Sequence, residues 1–211
     1  MKGAALRVLD AEDLSILWSE TEWPLPPDSI QQSAVEFHQV ISHVFAQAAV
    51  IPFRLLTVFD HEESLASFAA AQARNFVADL ERLKNTVQME CVIFFKPVRG
   101  PDRSSGQAYL QQKANVQRTI DDYVSAVKAS LSGVAREIRA KEVNNGSRIY
   151  CLLERGQEAL FRSTVEGVVV PEGLERRLSG PWPPAEFLSD AVKMPRTHHG
   201  DTEAQRQTEK N

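Results

Sequence analysis

An α+β or α/β fold built around small sheets is what the sequence predicts, and three observations carry it. Short apolar, β-branched runs alternate with longer segments whose apolar residues recur every three or four positions, giving strands and helices in turn. A Pro-, Gly- and Ser-rich stretch, PVRGPDRSSG from Pro97 to Gly106, breaks that series near its middle and marks a domain boundary. The 211 residues, 43% hydrophobic and 25% charged, suit one domain or two small ones and exclude collagen-like or wholly disordered chains.

Taken in order, Val8, Leu9, Leu14, Ile16, Leu17 and Trp18 favour a strand or two around an Asp/Glu turn. The run Pro24 to Asp28 (PLPPD) fixes φ and forbids helix, so it is a connection. Asp28 or Ser29 can then cap a helix, and Ser29 with Gln32 has the spacing of a capping box. Ile30, Ala34, Phe37, Ile41, Val44, Phe45 and Ala48 give that helix one apolar face. Val50 to Phe59 (VIPFRLLTVF) is too short and too β-branched for a helix and predicts a strand, or a strand with a bend.

Asp60, with Glu63 three residues on, opens a second helix striped by Leu65, Phe68, Ala69, Phe76, Leu80, Leu83 and Val87. Glu90 to Lys96 is nearly all apolar and reads as a central strand. Beyond the linker, apolar positions from Leu110 to Ile138 predict one long helix from near Gln107 to Lys141. Asn144-Asn145-Gly146 is a turn, Arg148 to Leu153 a strand, Gln157 to Glu166 a helix and Leu174 to Leu178 a last strand. From about Asp190 the chain is polar, of mixed charge and without apolar period, which predicts a disordered tail.

Charge and cysteine usage narrow the function. Against 24 basic residues stand 28 acidic ones, a net charge of −4, so broad attraction to nucleic acid or anionic lipid is not expected. Cys91 and Cys151 lie in apolar runs and read as reduced core thiols, not a disulfide framework, which points to a cytosolic protein. Arg7, Asp10, Glu12 and Asp13 interrupt the N-terminal apolar stretch before a signal-peptide core forms. The longest run free of Asp, Glu, Lys and Arg, Phe37 to Phe53, is broken by His, Gln, Ser and Pro52 and falls short of the ~20 apolar residues of a membrane helix.

Catalytic signatures are missing: there is no phosphate loop, dinucleotide-binding glycine motif, HExxH, GxSxG elbow or paired CxxC. His38 and His43, five apart on one helix, diverge by about 140° and do not share a face as metal ligands would. Asp121 and Asp122 diverge by about 100° and make no carboxylate pair. No catalytic residue, cofactor or metal site is assigned. Two features stand out instead. Arg54 is a charge inside an apolar run, so it faces solvent or pairs with a carboxylate or carbonyl. In Gly180-Pro181-Trp182-Pro183-Pro184, followed by Phe187, three prolines lock φ and Trp182 offers a large rigid surface, either as a plug on its own domain or to a partner.

These blocks together resemble the GvpL/GvpF family of gas vesicle proteins. Phe37-His38-Gln39-Val40 leading into Val50 to Phe59 and Glu62-Glu63 is similar to the family's helix, V-L-P-L-R-F-G-T-V-F strand and following helix. Tyr109-Leu110 heads the long charged helix, and Gly180 to Pro184 with Phe187 is similar to the family's closing G-P-W-P-P-Y-x-F. Leu56 stands where the family usually has Gly, Ala185 where it usually has Tyr, and the family's Tyr-rich opening strand is missing or cut short before Leu6.

The resemblance implies an α+β protein of two small domains. Residues 1–98 would form a modified ferredoxin-like domain, and residues 99–190 a domain with a long helix on an antiparallel sheet; 191–211 would be the polar tail. It implies a non-enzymatic accessory role in gas vesicle assembly, in the cytoplasm. The partners would be the hydrophobic shell protein or other accessory gas vesicle proteins, with no cofactor and no nucleic acid or lipid membrane bound. Its motif positions, as candidate interface residues, are Pro52, Arg54, Thr57, Gly180, Trp182, Pro183 and Pro184. Two other readings compete: an interaction module of this family repurposed outside gas vesicles, and an enzyme of unrecognised type using Arg54 in an interdomain cleft.

Overall fold

In a computed structural model of the chain the described residues are 5–11, 13–96 and 106–192, without the side chains of 106–109. Most of the expected linker and tail therefore lies outside the described residues. The chain divides into two compact units, 1–82 together with 188–211, and 83–187. The division falls between Arg82 and Leu83 and not at the Pro97–Gly106 stretch, because among the described residues the strand that follows Leu83 pairs with later strands and not with the hairpin before it.

In the first unit, β1 (Leu6–Ala11) and β2 (Leu14–Ser19) form an antiparallel hairpin in which Val8 faces Leu17 and Leu9 faces Ile16. The helix α1 (Pro27–Phe45) begins at a proline whose fixed φ suits the first helical position. No side-chain capping bond forms there; Ser29 Oγ donates back to the Pro26 carbonyl at 2.8 Å, so the expected capping box is absent. The second helix, α2 (Glu62–Arg82), buries Leu65, Ala69, Ala73, Phe76 and Asp79. Leu14 of the hairpin meets Ala73 and Phe76, and Ile51, Phe53, Phe68, Val77, Leu80 and Val192 complete that core.

Val50–Phe59 is not a strand. It carries no ladder pairing and folds at a tight turn in which the Thr57 N–H donates to the Arg54 carbonyl at 3.1 Å, with Leu56 at φ 67°. Aromatic packing takes the place of a ladder. Phe53 meets Phe68 at 5.9 Å and Phe76 at 6.0 Å between ring centroids, and Phe59 meets Phe68 at 5.5 Å, so the segment lies on α2 by its rings.

The second unit runs β3 (Thr86–Phe95), α3 (Gly106–Ser130), β4 (Glu137–Val143), β5 (Gly146–Glu154), α4 (Glu158–Glu166) and β6 (Leu174–Trp182). Its antiparallel sheet has the order β4-β5-β3-β6. This βαββαβ arrangement, with the first and third strands central, is the ferredoxin-like topology. It occupies the C-terminal unit, whereas the resemblance placed it at the N-terminus, where the described residues supply only two strands.

The expected helix to Lys141 ends at Ser130, and EIRAKEV becomes an edge strand. Turns at residues 131–134 break the helix, and the Asn144-Asn145 turn, with Asn145 at φ 58°, returns the chain as a hairpin against β5. Gly146 is needed there, because a Cβ would lie 2.0 Å from the Ile93 carbonyl oxygen.

Strand alternation sorts the sheet into two faces. Val87, Met89, Cys91, Ile93, Ile149, Cys151 and Leu153, all fully buried, share a face with Ile120, Tyr123, Val127, Phe161 and Val165 of the two helices. Arg176 reaches into that layer. Its guanidinium donates to the Val168 carbonyl at 3.0 Å, to the Val165 carbonyl and to the Tyr123 hydroxyl at 2.8 Å, closing the C-terminal end of α4. Burial pushes the Cys91 and Cys151 thiols up to about 12, so both stay protonated.

Candidate interaction surfaces

The motif residues fall in both units, and each block is described within its own. In the first unit Pro52 and Thr57 are half-buried and Arg54 is exposed. The Thr57 Oγ1 is buried and finds no hydrogen-bond partner among the described residues. Arg54 has no ion pair there either, although Asp60, Glu62 and Glu63 follow closely in sequence. Arg54 therefore takes the solvent-facing alternative, at the corner of a turn and not on a strand.

In the second unit the closing block sits on the face of the sheet away from the helices. Opposite Gln88 and Glu90 the pairing shifts, so that Trp182 and Ser179 face two residues only two apart: a β-bulge at Gly180-Pro181. Gly180 has φ 109°, and a Cβ on it would come within 2.7 Å of the Gln88 carbonyl oxygen and 2.8 Å of Met89 Sδ. Only glycine fits both the angle and the approach.

A polar chain fixes the block on that face. The Trp182 indole N–H donates to Ser179 Oγ at 3.2 Å, and Ser179 Oγ donates to Glu90 Oε2 at 2.9 Å. Arg148 Nε lies 3.1 Å from Glu90 Oε1. A hydrogen bond with Tyr150, then the Glu90 charge, hold Arg148 more firmly protonated than an ordinary arginine. Past Trp182 the chain turns down onto the sheet. Pro183, Pro184 and Phe187 are buried, the Glu186 N–H donates to Gln88 Oε1 at 3.0 Å, and the Arg139 guanidinium lies 5.1 Å over the Phe187 ring. Lys141 pairs with the Glu186 carboxylate. Phe187 and the two prolines thus form the plug, and Trp182 is half-buried at its edge.

Sequence reasoning did not find the next three features. Leu6, Val8 and Leu17 are 52%, 58% and 38% exposed and share the outer face of the β1–β2 hairpin, an apolar patch whose sign in the sequence is that both alternating faces are apolar. Asp79, 2% exposed on the buried face of α2, accepts from the Ser189 N–H at 2.7 Å and from Arg82 Nε and Nη2 at 3.0 and 2.7 Å. Burial alone would raise its pKa, but these hydrogen bonds outweigh it and hold the carboxyl below 3.8. Asn75 Nδ2 adds a bond to the Ala191 carbonyl at 3.0 Å, so two side chains of α2 hold residues 188–192.

An open groove of about 430 Å³ runs between α3 and the sheet end, walled by Phe95, Val116 and Leu174 and rimmed by Gln111, Asn115 and Glu172. Its polar lining is neutral amides, the Glu172 carboxylate and the Thr119 hydroxyl, which donates to the Asn115 carbonyl at 3.0 Å. Among the described residues no group of three or more His, Cys, Asp or Glu could hold a metal ion, and no helix is long and apolar enough to cross a membrane.

The sequence matches, over residues 1–189, the family described as gas vesicle synthesis protein GvpL/GvpF. The chain belongs to the GvpL/GvpF family. That match spans both compact units. Two solved structures share the fold of this GvpL/GvpF chain. The gas vesicle protein GvpF from Anabaena sp. PCC7120 has a TM-score of 0.69 at 14% identity, covering 94% of this chain and 91% of that one. GvpF from Microcystis aeruginosa has a TM-score of 0.67 at 15% identity, covering 90% of each chain. No curated protein matches the sequence.

Proposed function

We propose that this GvpL/GvpF protein is a non-catalytic accessory factor of gas vesicle assembly. It works in the cytoplasm at the vesicle, and it binds the small hydrophobic shell protein or other accessory gas vesicle proteins. The observation that carries the reading is the family match over residues 1–189, which takes in all of the second unit and residues 1–82 and 188–189 of the first, and so is not one borrowed module. Physical chemistry supports it. A hydrophobic shell subunit must have its apolar surface covered until it is incorporated, and the outer face of the hairpin, with Leu6, Val8 and Leu17, offers an apolar patch on an acidic protein.

Co-expression with the shell protein of the same organism, followed by size-exclusion chromatography with light scattering, tests the proposal. A soluble complex of defined stoichiometry is expected, weakened by Val8→Lys. A shell protein that precipitates while this chain elutes alone, with pull-downs of the other accessory proteins also empty, would overturn it.

A further inference from the structure

We infer that this chain pairs with a second copy of itself along the outer edge of β2, joining two hairpins into one antiparallel sheet of order β1-β2-β2-β1. Self-pairing stands apart from the binding of gas vesicle proteins, and either can hold without the other.

The edge is open and unguarded. Ala11 and Leu14 face each other at the closed end of the hairpin, and Leu9–Ile16 and Arg7–Trp18 follow at every second step. An antiparallel ladder alternates bonded pairs with pairs whose backbone groups point outward, and the pair that closes a two-residue loop is a bonded one. The N–H and C=O groups of Ser15, Leu17 and Ser19 therefore point away from β1, and none finds a backbone partner among the described residues. All three residues are exposed. The edge strands of the second unit carry the devices that discourage such pairing. Glu137, Arg139, Lys141 and Glu142 charge β4, while β6 has Glu175, Arg176, Arg177 and the bulge at Gly180-Pro181. In β2, Leu-Ser-Ile-Leu-Trp-Ser, there is no charge, proline or bulge. A two-stranded sheet is also marginal in water until further strands join it.

The order of residues in β2 selects a second copy as the occupant. A two-fold axis through Leu17, normal to the sheet, sets Leu17 opposite Leu17 and Ser15 opposite Ser19, so the three outward residues of one copy meet the three of the other. Ile16 then faces Trp18, a β-branched residue against an aromatic one, and no charge lies within the ladder. Leu6, Val8 and Leu17 of both copies would share one apolar face. The outer edge of β1 lacks this self-match: an axis through Val8 sets the Asp10 carboxylate opposite Leu6 in both copies.

The test is size-exclusion chromatography of the full chain with light scattering over a range of concentrations. A dimer that dissociates on dilution is expected. Leu17→Lys places two like charges face to face on the axis and should raise the dissociation constant at least about tenfold. Val8→Lys makes a similar change on the same face but off the edge, and should alter it less than about twofold. Both positions are exposed, so thermal melts should match the unaltered protein. A second measurement fixes the register. Facing residues of a bonded pair lie about 5.5 Å apart between Cα atoms, within disulfide reach, so Leu17→Cys should cross-link two copies in oxidised glutathione. Ser15→Cys should not, because four residues of strand, about 14 Å, separate it from its own counterpart. The native Cys91 and Cys151 are buried. A monomer at every concentration would overturn the inference and leave the proposed function standing. Equal weakening by Val8→Lys and Leu17→Lys would show face-to-face stacking instead and overturn it too, as would equal cross-linking at positions 15 and 17. Should Leu17→Lys fail to fold, the two cysteine variants decide.

Discussion

Leu56 holds a left-handed backbone at φ 67°, in the third position of a turn closed by the Thr57 N–H on the Arg54 carbonyl. A type II turn asks for positive φ at that position, and glycine meets the demand without the Cβ clash that costs other residues about 1–2 kcal/mol. The usual glycine of the family at this place is thus what the turn requires, and this chain departs from it. Replacing Leu56 by Ala or by Gly removes the same packing but only Gly relieves the backbone. Leu56→Gly is expected to be more stable than Leu56→Ala by about 1 kcal/mol, the reverse of the order at an ordinary position. Chemical denaturation of the two variants checks this, and an Ala variant as stable as the Gly one would contradict it. The resemblance pointed to Leu56 in the sequence; that the segment is a turn was hidden, because VIPFRLLTVF has strand composition and only packing on α2 decides otherwise.

At the scale of elements, the closing block and α2 carry the sharpest expectations. Phe187 is fully buried with Arg139 over its ring, whereas Trp182 is half-buried. Phe187→Ala should therefore cost about 3–5 kcal/mol, as large aromatic truncations in cores do, and Trp182→Ala distinctly less. Equal losses in denaturant midpoint would show Trp182 to be the plug after all. The bonds of Asp79 make a pH-dependent clip. Its folded-state pKa is lowered, so its contribution is full above the unfolded value of about 4 and is lost as pH falls through the folded one. Asp79→Asn should cost about 2 kcal/mol at pH 7, with the gap to the unaltered protein closing at the acid end, below about pH 4. A gap independent of pH would rule out the charge as its source.

Some of this was readable. Alternation and period located β5, α4 and the start of α2 to within a few residues, and the apolar run around Cys91 marked β3 as central; the stripe expected on α2 ran on to Val87, which belongs to β3. The helix expected through Ile138 was misplaced because EIRAKEV satisfies both a helical and a two-residue period, and its pairing with β5 settles the matter through contacts distant from its own residues. Asp79 was overlooked because its partner, the Ser189 N–H, lies 110 residues away.

For the whole molecule, the ferredoxin-like sheet belongs to the unit 83–187, while the first unit is a hairpin with two helices to which residues 188–192 return. The return is fixed by backbone and side-chain bonds that no sequence period encodes, so unit boundaries were less legible than elements. What was legible is the family, from Val50–Phe59 and from Gly180 to Phe187. The structure supplies a physical reason at several of those positions, namely aromatic seating at Phe53 and Phe59, a bulge at Gly180 and a buried ring at Phe187.

The central claim is the proposal that this GvpL/GvpF chain acts in gas vesicle assembly. Its most direct measurement is the pressure-sensitive light scattering of cells of the organism that encodes it, with the gene, without it, and with the gene restored. The account predicts that the scattering lost on hydrostatic collapse disappears without the gene and returns with it. Collapsible scattering of the same size in cells lacking the gene would contradict the account.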